Sequence, residues 1–305
     1  MKTFILHSAA LKGSALFLGT VLTLSSCNDT EEVINPSSLE TPDSFAKVNV
    51  QVSPFSMSVE DFPATRAAVA PSTYGNVQAI SLAFFDGTTK VLETTQLKDD
   101  ASTYETFGSF TCRLPKGNYT MVVIARQVMD GDVFTLTSPS EAGYADRVRE
   151  TFCKTQSVTV GSSDVNLSVT LTRAISRLGI KSTDARPEGV SKIRITYSGG
   201  SRRFSPTTGL ALDNDGFASS NEPSAEVGET IGTANMLFLA TDEQTMDVTL
   251  EVLGTEDQVL FTHVIKDVPL QRNRTTMLQG PLFSTTLHAA FTLETGWLDT
   301  QNVSF

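Results

Sequence analysis

Few residues in this chain are of a kind, and in a place, to do chemistry. The clearest is Cys27, which follows Leu24-Ser25-Ser26 at the end of an apolar run over residues 15–24. Small side chains at the last two positions of a leaving peptide, followed by a thiol that can be diacylated, describe lipid attachment at Cys27. Arg66 is the second candidate. It stands in Phe62-Pro63-Ala64-Thr65-Arg66-Ala67-Ala68, where an Arg next to a Pro and before small residues reads as an exposed linker. An Arg-specific protease could cut there, between Arg66 and Ala67, with an ordinary loop arginine the alternative. His263 and His288 lie in separate strand-like segments without neighbouring Cys or paired carboxylates, so no metal-ligand spacing exists and no metal or cofactor is expected. Asp213-Asn214-Asp215-Gly216 departs from a calcium loop, with no Glu at the required later position, and reads as a turn. No G-x-S-x-G, P-loop or H-E-x-x-H occurs, so the chain is not expected to be an enzyme.

Lys2 and Lys12 with the apolar run complete a leader over residues 1–26, too short to span a bilayer. Residues 28–44 then carry Asp29, Glu31, Glu32, Glu40 and Asp43 and no base, with Pro36 and Pro42 among several Ser. Such a segment buries no core and is expected to be an extended tether over 27–44 that lifts a folded body off the lipid. Acids directly after a lipidated Cys resemble the surface-export signal of Bacteroidetes-type lipoproteins. Of 23 basic residues the leader removes two, leaving 21 against 34 acids, a balance of −13. That argues against nucleic acid as a partner and against charge-driven docking on an anionic membrane. Two cysteines remain, Cys112 and Cys153. An oxidising compartment permits a disulfide between them, with a plain buried thiol the alternative for Cys112, which alternates with Phe110 and Leu114.

Some 260 residues follow the tether, and their patterning is that of strands. Residues 47–51 alternate with Val48, Val50 and Val52 on one face; Pro54 breaks the run, and Phe55, Met57 and Val59 continue on shifted parity. Further runs cover 77–85, 109–114 and 119–125, the last two joined by a hairpin signal at Pro115-Lys116-Gly117-Asn118. Residues 155–160 and 165–171 face each other across Gly161-Ser162-Ser163-Asp164. Residues 140–150 are the best candidate for one short helix. A second series covers 193–197, 235–240, 246–253, 259–265 and 275–278, with 198–233 a long polar loop. Short strands between turn clusters predict β-sandwiches. With Thr172-Arg173-Ala174 as the seam, the expected organisation is all-β, two tandem sandwiches over 45–173 and 174–305, or else one extended β domain.

The C-terminus is itself strand-like. Leu287, Ala289, Phe291 and Leu293 alternate toward one face, and Trp297, Val303 and Phe305 follow. Such a strand either completes its own sandwich or fills a neighbour's. If residues 48–59 were cut away at Arg66, the first sandwich would expose unpaired backbone that a strand from another subunit could cover.

The chain resembles the fimbrillins of the type V pili of Bacteroidetes-type bacteria. The resemblance runs from Cys27 through Thr65-Arg66-Ala67 to Leu171-Thr172-Arg173-Ala174-Ile175-Ser176-Arg177-Leu178. It continues into Val268-Pro269-Leu270-Gln271-Arg272-Asn273-Arg274-Thr275-Thr276 and Leu278-Gln279-Gly280-Pro281-Leu282-Phe283. It implies two transthyretin-like, Greek-key sandwiches, export to the outer membrane as a lipoprotein, cleavage after an Arg and polymerisation with other fimbrial subunits by donor-strand exchange. On that resemblance Arg66 is the processing site, residues 45–59 the displaced strand and the segment after Phe283 the donor. Stalk, anchor and tip subunits use these parts differently, and an anchor keeps its lipid and first strand. The rival of another class is a surface glycan-binding lipoprotein. It needs aromatic platforms, whereas this chain has one Trp, five Tyr and 18 Phe, a balance suited to cores.

Overall fold

A computed structural model of the chain describes residues 45–53, 55–56, 68–69, 71–284 and 292–295. Cys27, Met57, Val59, Arg66, Ala67, Leu287, Ala289, Phe291 and Trp297 lie outside the described residues. In chain order the strands are β1 (Phe45–Val52), β2 (Phe55–Ser56), β3 (Ala68–Val69), β4 (Ala79–Asp86), β5 (Thr89–Leu97), β6 (Ser109–Pro115) and β7 (Gly117–Arg126). There follow β8 (Phe134–Ser138), β9 (Glu141–Tyr144), β10 (Thr151–Val160), β11 (Val165–Val169), β12 (Thr172–Arg173), β13 (Ser176–Ala185) and β14 (Val190–Tyr197). The last are β15 (Arg203–Phe204), β16 (Phe217–Asn221), β17 (Thr230–Leu237), β18 (Glu243–Gly254), β19 (Val259–Gln271), β20 (Thr275–Gly280) and β21 (Thr292–Thr295). The all-β sandwich architecture expected from the period-2 patterning is what forms.

One connectivity occurs twice. In the first half β1 lies between β11, to which it is parallel, and antiparallel β6, and this sheet faces the sheet β10-β7-β4-β5. In the second half β13 lies between parallel β20 and antiparallel β17, facing β19-β18-β14-β16. Each pair of sheets encloses its own core. Val48, Val50, Leu82, Phe84, Met121 and Val123 fill the first; Leu178, Ile180, Ile195, Tyr197, Val248 and Leu250 fill the second. From residue 42 onward the chain is one compact unit.

The sheet β10-β7-β4-β5 is covered on both faces, which explains a feature of its sequence. Residues 79–85 of β4 read Ala-Ile-Ser-Leu-Ala-Phe-Phe and are all buried, and Met121–Ala125 of β7 are buried without a break. A strand with solvent on one face alternates; one packed on both does not. Ile80, Leu82 and Phe84 point into the first core, while Ala83 and Phe85 point into a third. That third core is closed by a small sheet, β15-β9-β8, which joins Arg203–Phe204 of the second half to Glu141–Tyr144 of the first. Phe204 and Phe238 stack there at 4.2 Å between ring centroids and 13° between planes.

Several local expectations are corrected. Pro115-Lys116-Gly117-Asn118 is no hairpin: β6 pairs with β1 while β7 pairs with β4 and β10, so the turn is an arch from one sheet to the other. The turn at 161–164 arches likewise, since β10 pairs with β7 and β11 with β1. Residues 140–150 hold β9 and extended chain rather than a helix, because Ala142 and Tyr144 alternate inward against β8 and β15. The polar stretch 198–233 contains β15 and β16. Cys112 and Cys153 are free thiols. Cys112 packs against the first core, and Cys153 lies in the third, on the far face of the sheet that carries Phe152, so a sheet separates the two sulfurs.

Candidate functional site: the β1 groove and the seam

β1 is the central strand of its sheet, paired on both edges. Residues 48–52 run parallel to 165–169 of β11, and 45–51 pair with 109–115 of β6. Its alternation, legible in the sequence, sends Ala46, Val48, Val50 and Val52 inward, none more than 3% exposed, while Phe45, Lys47 and Gln51 face out. Each buried Val is worth about 1.5–3 kcal/mol before the cost of ordering the strand. Remove β1 and a slot remains, floored by Ile80, Leu82 and Phe84 and edged by two strands with unpaired backbone groups.

The ends and rim of this slot are defined. At the end of β1 the amide of Val52 donates to Gly108 O at 2.8 Å and that of Ser53 to Val169 O at 2.8 Å. Gly108 has φ 89°, a conformation that disfavours side chains, and its backbone is held by Gln96. The Gly108 amide donates to Gln96 Oε1 at 2.7 Å, and Gln96 Nε2 donates to Ser109 O at 2.7 Å. On the outer face Asn49 Nδ2 donates to Asn166 Oδ1 at 2.8 Å and accepts at Oδ1 from Thr111 Oγ1 at 3.0 Å. The Cys112 thiol lies 3.7 Å from Val48 O, and burial pushes it up to about 11. Phe55, expected to continue the displaced strand, lies instead in β2, whose register Phe55↔Val69 forms a separate two-stranded pair. The groove strand ends at Val52. The alternating C-terminal segment enters the description only at β21, where Leu293 is opposite Leu278 of β20.

A second constellation lies at the seam, where Arg173 and Asn273 stand in segments already singled out in the sequence. Glu150 and Arg173 form an ion pair at 2.6 Å with side chains 1% and 3% exposed. Burying a charge pair is tolerable only if its remaining donors and acceptors are filled, and here they are. Tyr74 Oη donates to Glu150 Oε1 at 2.7 Å, Asn76 Nδ2 donates to Glu150 Oε2 at 2.9 Å, and Arg173 Nη1 donates to Asn273 Oδ1 at 2.7 Å. The Arg173 guanidinium also lies over the Phe152 ring at 4.7 Å. Burial, and then the Glu150 hydrogen bond, push the Tyr74 hydroxyl up to about 12, so it stays a donor. Asn273 has φ 61°, and its amide donates to Ile175 O at 2.8 Å. The two segments around Arg173 and Asn273, about 100 residues apart in sequence, thus meet at one buried pair, together with Tyr74 and Asn76 from the chain just after β3.

The other sequence candidates have structural places. Asn214 Oδ1 accepts from the Gly200 amide at 2.6 Å and from Gln244 Nε2 at 2.7 Å, which makes 213–216 a brace between turns. His263 Nε2 sits 3.0 Å from Leu282 O, and His288 lies outside the described residues. Asn166, Gly108 and Gln96 at the rim, and Glu150 at the seam, carried no sequence signal, because their partners are supplied by distant strands.

The family of unknown function DUF6562 matches residues 42–301. This chain belongs to that family. No curated protein sequence matches it. Among solved structures it is similar to a provisionally assigned adhesin from Bacteroides ovatus, at 9% identity and a TM-score of 0.51, over 82% of this chain and 95% of that one. It is also similar to the fimbrial anchor protein Mfa2 from Porphyromonas gingivalis, at 13% identity and a TM-score of 0.49, over 83% and 98%. The tip fimbrial protein Mfa3 from the same organism gives 13% identity and a TM-score of 0.40, over 84% and 99%. At such identities the likeness is one of fold. The DUF6562 member thus combines a twice-used sandwich topology with one strand, β1, that only a long connector joins to the rest.

Proposed function

We propose that this protein is a structural subunit of a cell-surface fimbria, exported as a lipoprotein through Cys27, cut after Arg66 and joined to other fimbrial subunits by exchange of β1. The two halves, 45–173 and 174–305, are its two sandwich domains. One observation carries this reading. β1 is central in its sheet and fills the first core, yet it precedes a connector over residues 53–78 that contains Arg66. A cut there would free β1 without interrupting any other strand of the groove. The body would stay fastened, because Tyr74 and Asn76, downstream of the cut, are bonded into the Glu150–Arg173 pair. The fold shared with the Bacteroides ovatus adhesin, provisional as that assignment is, agrees with a surface role.

The groove also speaks about its donor. Its pockets hold Ala46, Val48, Val50 and Val52, whereas the chain's own terminal strand offers Leu287, Ala289, Phe291 and Leu293. Every register that seats this strand's inward face puts Phe291 where an Ala or Val now packs, and such overpacking costs about 1–3 kcal/mol. The groove therefore favours a donor strand with smaller side chains, which a different subunit would supply.

A membrane-retained anchor subunit is the second reading. It is favoured by two observations, that β1 is seated in its own groove and that β21 pairs with its own β20. Intact mass and N-terminal sequencing of protein taken from the native cell surface decide between them. A start at Ala67 supports the exchanging subunit; a lipid-modified start at Cys27 in assembled fibres rejects exchange at β1 and leaves the anchor.

A further inference from the structure

A polar cleft of about 460 Å³ opens between the turn after β7, the extended chain after β9 and strand β16. Its volume is in the ~300–1,000 Å³ range of small-molecule sites. Its lining is unusual for a chain of net charge −11, since three arginines converge on it. Arg149 is spent: it grips both oxygens of Asp132 at 2.7–3.0 Å, and the pair is only 14% and 10% exposed. Arg147 and Arg202 are not. Among the described residues neither pairs with a carboxylate, and both are half-buried.

What holds these two in place leaves most of their donors unused. Arg147 Nη2 donates to Ser220 O at 2.5 Å, and Arg202 Nη1 donates to Asp146 O at 3.1 Å while its guanidinium lies 5.3 Å from the Phe217 ring centroid. A guanidinium has five N–H donors, so each retains spare ones on a side chain already fixed by a backbone bond and, for Arg202, by a ring. Each such fork matches the two oxygens of a carboxylate. The exposed carboxylates of Asp130 and Asp146 stand at the same cleft, with Ser219 and Ser220 beside them. They would repel a bare anion but can accept from hydroxyls. The combination selects a ligand carrying both a carboxylate and several hydroxyl groups.

We propose that this cleft binds a carboxylate-bearing sugar, with Arg147 and Arg202 on the carboxylate and Asp130 and Asp146 on ring hydroxyls. The site is independent of β1 and of any strand exchange. To test it, the full chain is titrated calorimetrically at low salt with galacturonate, glucuronate, their methyl esters, galactose and inorganic sulfate. Millimolar binding of at least one acid sugar is expected, with its methyl ester, galactose and sulfate at least about tenfold weaker, since the ester loses the charge and sulfate the hydroxyls. Arg147→Gln and Arg202→Gln should each weaken the acid sugar about tenfold, while Lys116→Gln on the exposed arch leaves it unchanged. Equal binding of sulfate, binding that survives esterification, binding indifferent to both arginine variants, or no binding of either acid sugar would overturn the proposal. The ester and sulfate arms use the unaltered protein, so they stand even if a variant fails to fold.

Discussion

β1 and β13 occupy the same place in the two halves of the molecule and are held there very differently. Each is the first long strand of its half, central in its sheet, parallel to the last long strand and antiparallel to another. Only four residues, 186–189, separate β13 from β14, and that link is pinned. Arg186 Nη1 donates to Ala225 O at 2.5 Å, its Nη2 donates to Val190 O at 2.6 Å, and its carbonyl accepts from the Gly228 amide at 2.8 Å. Between β1 and β4 the link is residues 53–78, which include Arg66. The arginine in the short link is a brace; the long link carries its arginine within Thr65-Arg66-Ala67, outside the described residues. Equal topology with unequal tethering is the basis on which exchange is proposed for β1 and not for β13.

The largest way to break this comparison is to loosen the seam that both halves share. Glu150→Ala strands the buried Arg173 charge and should lower stability by about 3–5 kcal/mol, read as a fall in the thermal midpoint. A loss within 1 kcal/mol would mean the pair is not what fastens Tyr74, Asn76 and Asn273 together.

Next come matched truncations in the two strands. Leu178→Ala in β13 should cost about 2–5 kcal/mol, and Val50→Ala in β1 about 1–2 kcal/mol, by denaturant titration of the intact chain. After cleavage at Arg66 and removal of the strand, the Val50 variant and the parent body should become indistinguishable, while the Leu178 penalty persists. Persistence of both would make β1 as integral as β13.

How much of this was legible beforehand differs by element. β1 could be read because Val48, Val50 and Val52 alternate within five residues. The arch at Pro115-Lys116-Gly117-Asn118 carries the residues of a hairpin, since a tight turn has the same chemistry whether its strands pair or part into facing sheets. Glu150 was invisible because its partners Tyr74, Asn76 and Arg173 are 76, 74 and 23 residues away. The double covering of β4 was written in an apolar run interrupted only by Ser81, but what covered it, Phe204 and Phe238 of the other half, was not.

A smaller effect sharpens the donor side. A peptide of residues 285–297 should bind the emptied groove about 1–3 kcal/mol more weakly than a peptide of residues 45–53, because Phe291 overpacks a valine site. Fluorescence anisotropy of the two labelled peptides measures it. The smallest signal is thiol reactivity. Burial raises Cys112 to about 11 and Cys153 to about 12, so the reactive thiolates are scarce at neutral pH and labelling of the intact protein should rise only as pH climbs toward those values. With β1 gone, Cys112 loses its cover beside Val48 and should label at lower pH, while Cys153, in the third core, should not change.

The most direct test is to cut the purified full chain with an Arg-specific protease, separate the fragments in mild denaturant, and follow the body by native mass spectrometry with and without peptide 45–53. Cleavage after Arg66, a body that remains folded without its strand, and stoichiometric recapture of the peptide are the predicted results. A chain that resists cutting at Arg66, or a body that unfolds and never takes the peptide back, would contradict the account.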